Sequence, residues 1–229
     1  NFNDAFDCDI AIDEQAIFNN LLPAISGGKT IHKGSPAWIQ LKSNLHKQIT
    51  LLENTFADQK SSMGITCLSE VPDSLLMWSH YANNHRGFCV SYNLLALNQK
   101  LQFSAIPVLY TQERVCLRSI PLDQDALNKE TMSLFIQSLT SKSPEWSYEK
   151  EWRIIRDEAV CGSRWDDENK GALLDAISPS AIFLGCCASD ELTSTLKQYC
   201  QNFNIPLYKM EKDPLLYRLN KISLLDFSK

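Results

Sequence analysis

The stretch from Pro36 to about Phe56 limits what this chain can become more than any other. Trp38, Ile39, Leu41, Leu45, Ile49, Leu52 and Phe56 recur there at helical spacing, with Lys and Gln on the opposite face. A stripe of that length predicts a long amphipathic helix whose apolar side is covered by other elements. Asp13-Glu14 opens another helix that runs to about Leu22 and ends before Gly27-Gly28, and Ala126 to Thr140 reads as a third.

The rest of the chain carries strand signals. Gly64 to Leu68 is short and β-branched and reads as a buried strand. Glu70-Val71-Pro72-Asp73 then turns the chain into a short helix with Leu75, Leu76, Met77 and Tyr81. Gly87 to Tyr92 alternates, Leu101 to Tyr110 reads as a strand that Pro107 pushes to an edge or an irregular position, and Tyr148 to Arg156 has a period of two. After a polar loop from Gly162 to Lys170 comes a β-helix-β unit: Ala181 to Leu184, a helix from Asp190 to Phe203 capped by Asp190, and Ile205 to Met210. No internal repeat or low-complexity tract interrupts this order. The fold class expected is therefore mixed α+β, with largely antiparallel sheets flanked by helices, in a single globular domain over residues 1–229.

Composition narrows the function classes. Hydrophobic residues make up 44% of the 229, enough for a sizeable core, and the formal net charge of −5 lacks the footprint of general phosphate-backbone binding. A nucleic acid would need a local basic patch. The eight cysteines are scattered, several inside apolar runs, and no C-x-x-C occurs, so they read as reduced thiols serving as small hydrophobes. No apolar run approaches the roughly 18 residues of a membrane span, and no charged-then-apolar leader opens the chain, which predicts a cytoplasmic protein without a membrane partner. The sequence begins at Asn1, inside what reads as a motif, so a preceding segment is expected.

Scarce residues collect in two strings. The first runs from Trp78-Ser79-His80-Tyr81-Ala82 through His85-Arg86-Gly87-Phe88-Cys89-Val90, and the second is Trp146-Ser147-Tyr148-Glu149-Lys150-Glu151-Trp152-Arg153. In the second, strand alternation puts Glu149, Glu151, Arg153 and Ile155 on one face, with the two carboxylates roughly 6–7 Å apart, within reach of neighbouring atoms of one substrate. The structural alternative is an ion pair between Glu151 and Arg153 or a neighbouring strand. In the first string, His80 and His85 are five residues apart, whereas a zinc pair on a helix prefers four, so no metal site is expected. A dyad of Cys89 and His85 would need geometry that near neighbours in sequence rarely supply. The simpler role for His80 or His85 is a hydrogen bond to a backbone carbonyl that anchors the turn signalled by Asn83-Asn84, with Gly87 placed where no side chain fits. Ser69 ends its strand as a turn or cap residue, or as a hydroxyl for a ligand's polar edge.

Asn1-Phe2-Asn3-Asp4-Ala5-Phe6-Asp7, Cys67-Leu68-Ser69-Glu70, and the two strings, taken in order, resemble a bacterial family known as domain of unknown function 2971. That resemblance covers nearly the whole chain. A looser one concerns chemistry. Tyr148-Glu149-Lys150-Glu151-Trp152 is similar to the Glu-x-Glu of arginine-type ADP-ribosyltransferases, and Ile65-Thr66-Cys67-Leu68-Ser69 to the Ser-bearing strand that precedes it there. This likeness implies an ADP-ribosyltransferase-like fold and an NAD-dependent enzyme, a toxin or phage-defence effector that uses a nucleotide and a macromolecular acceptor. Cleavage of the nicotinamide–ribose bond passes through an oxocarbenium-like state that a carboxylate stabilises. On the same likeness Glu151 is the ribose-facing acid, Glu149 the acceptor-side acid, Ser69 a scaffold for the nicotinamide pocket, and Tyr148 or Trp146 a stacking surface. The basic residue of the first strand would lie in the preceding segment unless Arg86 replaces it; the string from His80 to Arg86 has no counterpart in those enzymes, and His80 and Arg86 are kept as candidate cofactor-binding residues.

Two further readings stay open. One is a non-enzymatic binding or regulatory module, in which Glu149 and Glu151 are tied to Arg153, Arg86 or Lys150 and closed off from solvent. The other is a hydrolase of glycosidic or phosphodiester bonds that uses Glu149, Glu151 and His80, and needs an acid and a base converging from different elements.

Overall fold

The computed structural model describes residues 7–27, 29–101, 104–157, 165–166, 171–172 and 177–227. In chain order the elements are β1 (Ala11–Ile12), α1 (Glu14–Ile25), α2 (Pro36–Ser61), β2 (Met63–Ser69), α3 (Leu75–Tyr81), β3 (Phe88–Ser91), α4 (Leu94–Leu101) and β4 (Ile106–Pro107). Then follow β5 (Leu109–Tyr110), β6 (Cys116–Leu117), α5 (Gln124–Thr140), β7 (Ser141–Lys142), a 3-10 helix (Pro144–Glu149), β8 (Glu151–Asp157), β9 (Trp165–Asp166) and β10 (Gly171–Ala172). The chain closes with β11 (Ala181–Leu184), α6 (Asp190–Phe203), β12 (Leu207–Lys212) and β13 (Leu219–Leu225). The fold is mixed α+β, with several small, largely antiparallel sheets among helices. Among the described residues no helix is long and apolar enough to cross a membrane.

The chain divides into two compact units. The first comprises residues 1–65, 108–144 and 156–172; the second, 66–107, 145–155 and 173–229. In the first unit α2 starts where Ser35 caps the amide of Trp38 and Pro36 occupies the first turn, and it runs five residues beyond the expected end. Its buried Leu45 and Ile49 pack with Ile17 and Phe18 of α1, Leu117 of β6 and Leu134 of α5. Asp13 caps α1 through the amide of Ala16. Phe56 stacks on Phe135 at 6.4 Å. A buried ion pair joins Lys142 Nζ to Asp7 at 3.8 Å.

The second unit is built on a four-stranded sheet in the order β13-β12-β11-β3. β11 and β12 are parallel because α6 forms the crossover between them, whereas β3 and β13 run antiparallel to their neighbours. One side of the sheet buries Ile182, Leu184 and Leu207 with Leu196 and Cys200 of α6; Phe183 and Met210 pack with Trp78 and Ala82 instead. This alternation is the period of two expected of a strand covered on both faces. β4 lies antiparallel to β8, with Ile106 opposite Arg153 and Pro107 opposite Trp152, and β2 borders β8 on its other side.

Several expectations need correction. Leu101 to Tyr110 is no single strand: helix α4 occupies Leu94–Leu101, residues 102–103 lie outside the described ones, and two dipeptide strands follow. β2 is half-exposed rather than buried. Ser189, not Asp190, caps α6, its hydroxyl accepting from the amide of Leu192. Most of the loop expected from Gly162 to Lys170 falls outside the described residues, as does Asn1 to Phe6.

The connection between β12 and β13 is organised by Asp213, whose carboxylate accepts from the amides of Leu215 and Leu216, from Asn220 Nδ2 and from Arg218 Nε at 2.7 Å. The backbone amide of Leu215, followed by Asn220 and Arg218, holds this carboxyl well below the usual carboxylate range. A carboxyl with a depressed folded value contributes its full stabilisation above the unfolded value of about 3.9 and loses it progressively as pH falls from there through the folded one. In an NMR pH titration the Leu215 and Leu216 amide shifts are therefore expected to stay constant through the range in which ordinary carboxylates titrate. Movement centred near pH ~4 would contradict it.

Candidate functional site

The first string folds as a helix followed by a left-handed turn. Ser74 caps α3 through the amide of Met77, and Trp78 is buried with its indole N–H donated to the Pro72 carbonyl at 2.7 Å. After Ala82 the backbone takes positive φ at Asn83 (48°), Asn84 (53°) and His85 (64°) in succession. Asparagine tolerates this region; histidine does so at a cost of order 1 kcal/mol. The turn is held from within by Gly87 N–H to Ala82 O at 2.8 Å and His85 N–H to Trp78 O at 3.0 Å. A Cβ on Gly87 would come within 3.1 Å of the Ala82 carbonyl oxygen, so glycine suits that position sterically.

The His85 ring meets a hydroxyl and not the carbonyl expected for it. Its Nε2 lies 3.0 Å from Ser79 Oγ, which in turn donates its one proton to the Leu75 carbonyl. With that proton directed to Leu75, the Ser79 oxygen is placed to accept from the Nε2–H tautomer of His85. Cys89, its supposed partner in a dyad, has its thiol pushed up by burial, which keeps it protonated and poorly nucleophilic at neutral pH.

The second string is not one strand. Pro144–Glu149 is the 3-10 helix, Lys150 takes φ 44°, and β8 begins only at Glu151. Glu149 therefore does not share a strand face with Glu151 and Arg153. Both carboxylates are buried, at 3% and 4% exposure. Arg153, itself fully buried, grips Glu151 with Nε at 2.8 Å and Nη2 at 3.2 Å. The Glu149 carboxylate accepts from the Tyr81 hydroxyl at 2.6 Å, and its backbone carbonyl accepts from Ser69 Oγ. Ser69 also accepts from the Val71 amide, so its hydroxyl clamps the end of β2 to the end of the 3-10 helix. Next to it, Glu70 Oε1 accepts the Trp152 indole N–H at 2.6 Å.

These contacts border a cleft of about 590 Å³ within the second unit. Its walls include Tyr81 from α3, Phe88 and Tyr92 from β3 and its end, Trp152 from β8, and Ser69 and Glu70 from β2 and its end. Of the residues predicted for a site, Ser69 lines the cleft directly, and Glu149 reaches its wall through Tyr81. His80 is exposed and lies with Trp146 and Tyr148 in a group of rings 6.0–6.5 Å apart. Arg86 is exposed on the turn, where its amide donates to Asn83 O. Neither of those two, nor Glu151, lines the cleft.

Sequence reasoning did not single out Tyr92, Trp152, Phe88 or Glu70 as lining residues. Phe88 and Tyr92 had a signal: period two puts both on one face of β3 and its end, where they are exposed, at 46% and 39%. Trp152 stood in the second string, but nothing there showed that its indole would be oriented by Glu70, which is far away in sequence.

Comparison with curated proteins and with solved structures finds no match. Residues 77–154, from α3 into β8 and including both aromatic strings, match the family model described as Protein of unknown function (DUF2971).

Proposed function

We propose that the second unit is a ligand-binding module whose cleft takes a planar ring of the kind nucleotides carry, with NAD as the candidate ligand. The observation that carries this reading is the make-up of the cleft: aromatic walls from Tyr81, Phe88, Tyr92 and Trp152, with Ser69 and Glu70 as polar markers, in about 590 Å³. That size falls within the roughly 300–1,000 Å³ of small-molecule sites. Aromatic walls stack rings, and a few fixed polar groups orient them. Among the described lining residues there is no Lys or Arg, so the cleft recognises the ring and leaves the phosphates to solvent.

A second reading, ADP-ribosyl transfer to a macromolecular acceptor, is favoured by the convergence of Ser69, Tyr81 and Glu149 from three separate segments. In it Glu149, held against the cleft wall by the Tyr81 hydroxyl, stabilises the ribosyl cation as the bond to nicotinamide breaks. Glu151 then orients the strand from within its pairing with Arg153.

Titration with NAD, AMP and nicotinamide, followed by tryptophan fluorescence, tests the module. Trp78 and Trp152 both line the cleft, so a saturable change is expected. Tyr92→Ala should weaken binding about tenfold, the equivalent of one stacking contact of roughly 1.4 kcal/mol. No change with any of the three at millimolar concentration would overturn the proposal. Nicotinamide release from NAD that is lost in Glu149→Gln while binding persists supports transfer; binding without release leaves the module alone.

A further inference from the structure

The loop after β11 brings two thiols together. Gly185 to Ala188 is a tight turn closed by the Ala188 amide on the Gly185 carbonyl at 3.1 Å, and Cys186 and Cys187 are its two central residues. Their sulfurs lie 3.8 Å apart. Cys187 is exposed, whereas Cys186 is half-buried against the cluster of Trp78, Phe183 and Met210. The turn is fastened to the left-handed turn on β3's side of the sheet: Cys187 N–H donates to His85 O at 3.0 Å and Gly185 N–H to Gly87 O at 2.9 Å.

We propose that Cys186 and Cys187 are a site of reversible two-electron oxidation, closing to a disulfide between neighbouring residues under peroxide. The exposed Cys187 thiolate attacks a peroxide oxygen, the O–O bond breaks, and a sulfenic acid forms with a hydroxide that takes up the proton released by the Cys187 thiol and leaves as one water. The Cys186 sulfur then attacks the sulfenic sulfur. The S–S bond forms, the S–O bond breaks, and the departing hydroxide leaves as water with the Cys186 proton. Two thiols and one peroxide thus give one disulfide and two waters.

The geometry makes this a switch and not a staple. Neighbouring Cα atoms are held about 3.8 Å apart by the peptide bond, below the roughly 4.4–6.8 Å that a relaxed disulfide spans. The closed ring is strained and readily reduced, as regulatory disulfides are. Burial raises the Cys186 thiol, with the neighbouring Cys187 adding to the effect, which is consistent with Cys187 meeting the oxidant first. Closing a gap from 3.8 Å to about 2.05 Å twists the peptide between the two residues and draws the Cys187 amide off His85 O. The strained Asn83–His85 turn loses one of its outside tethers.

Trypsin isolates the pair, because the peptide from Gly171 to Lys197 contains Cys186 and Cys187 and no other cysteine. After treatment of the whole protein with hydrogen peroxide and alkylation, that peptide is expected to be two hydrogens lighter and unalkylated. Dithiothreitol should restore two alkylation sites, and Cys187→Ser should abolish the closed form. A peptide that still takes two alkyl groups once the exposed Cys67 has been oxidised would overturn the proposal. Amide exchange at Cys187 is expected to rise about fivefold in the closed form, as for the loss of one hydrogen bond. An unchanged rate in a protein shown by mass to be closed would overturn the link to the turn.

Discussion

Arg153→Ala is expected to destabilise the protein by about 3–5 kcal/mol, the largest effect of any single substitution on β8. The Arg153 side chain is fully buried and Glu151 is 4% exposed, with Nε and Nη2 both turned onto the same carboxylate. Removing the guanidinium takes a cation away from a buried carboxylate and opens a cavity the size of an arginine side chain. Both act in the same direction. The pair itself need not be a net source of stability, because desolvating two charges offsets much of their attraction. Arg153→Met combined with Glu151→Leu is therefore expected to recover most of the loss. Urea unfolding of wild type, both single variants and the pair gives the coupling as a double-mutant cycle. A cost below about 1 kcal/mol for Arg153→Ala would show that Glu151 does not depend on this contact.

Gly185→Ala is expected to cost about 3 kcal/mol or more, although it adds one methyl group. That methyl would lie 2.1 Å from the His85 carbonyl oxygen and 2.6 Å from its carbon. Both are backbone atoms, so no side chain can rotate to make room. The two turns must separate, and with them go the bonds from Gly185 to Gly87 and from Cys187 to His85. Gly87→Ala is the comparison: its nearest contact would be 3.1 Å, which a small shift relieves, and about 1 kcal/mol is expected. Equal thermal unfolding midpoints for the two variants would contradict the close approach of residues 185 and 85.

The long helix α2 was legible because many apolar positions voted for one period. The Asn83-Asn84 turn was legible because asparagine advertises positive φ. Lys150 and His85 adopt the same conformation without any such mark, held there by the contacts of Ser69, Glu70 and Trp78 with their surroundings, and so the break between Glu149 and Glu151 was hidden. Two glutamates read as one strand face are instead separate: one is bound by a tyrosine from α3, the other by an arginine of β8. Helix α4 spans barely two turns, and Leu97 and Leu101 are its contribution to the cluster around Ile154, too few positions to reveal a period. β13 went unseen because the register shifts between Leu207 and Tyr208, which spoils alternation along its partner pairing.

The pairing of β3 with β11 also sets a timetable. Ser91 and Ser180, which meet at the end of that pairing, are 89 residues apart in the chain. At a synthesis rate of roughly 5–20 residues per second, β3 waits about 5–20 s for the strand that will cover its edge. During that interval Phe88, Cys89 and Val90 are offered to any strand that comes by, including the same segment of a neighbouring nascent chain. Slower translation of the intervening stretch lengthens the wait, so the yield of folded protein should follow the speed of the ribosome between residues 91 and 181 as well as the stability of the finished sheet.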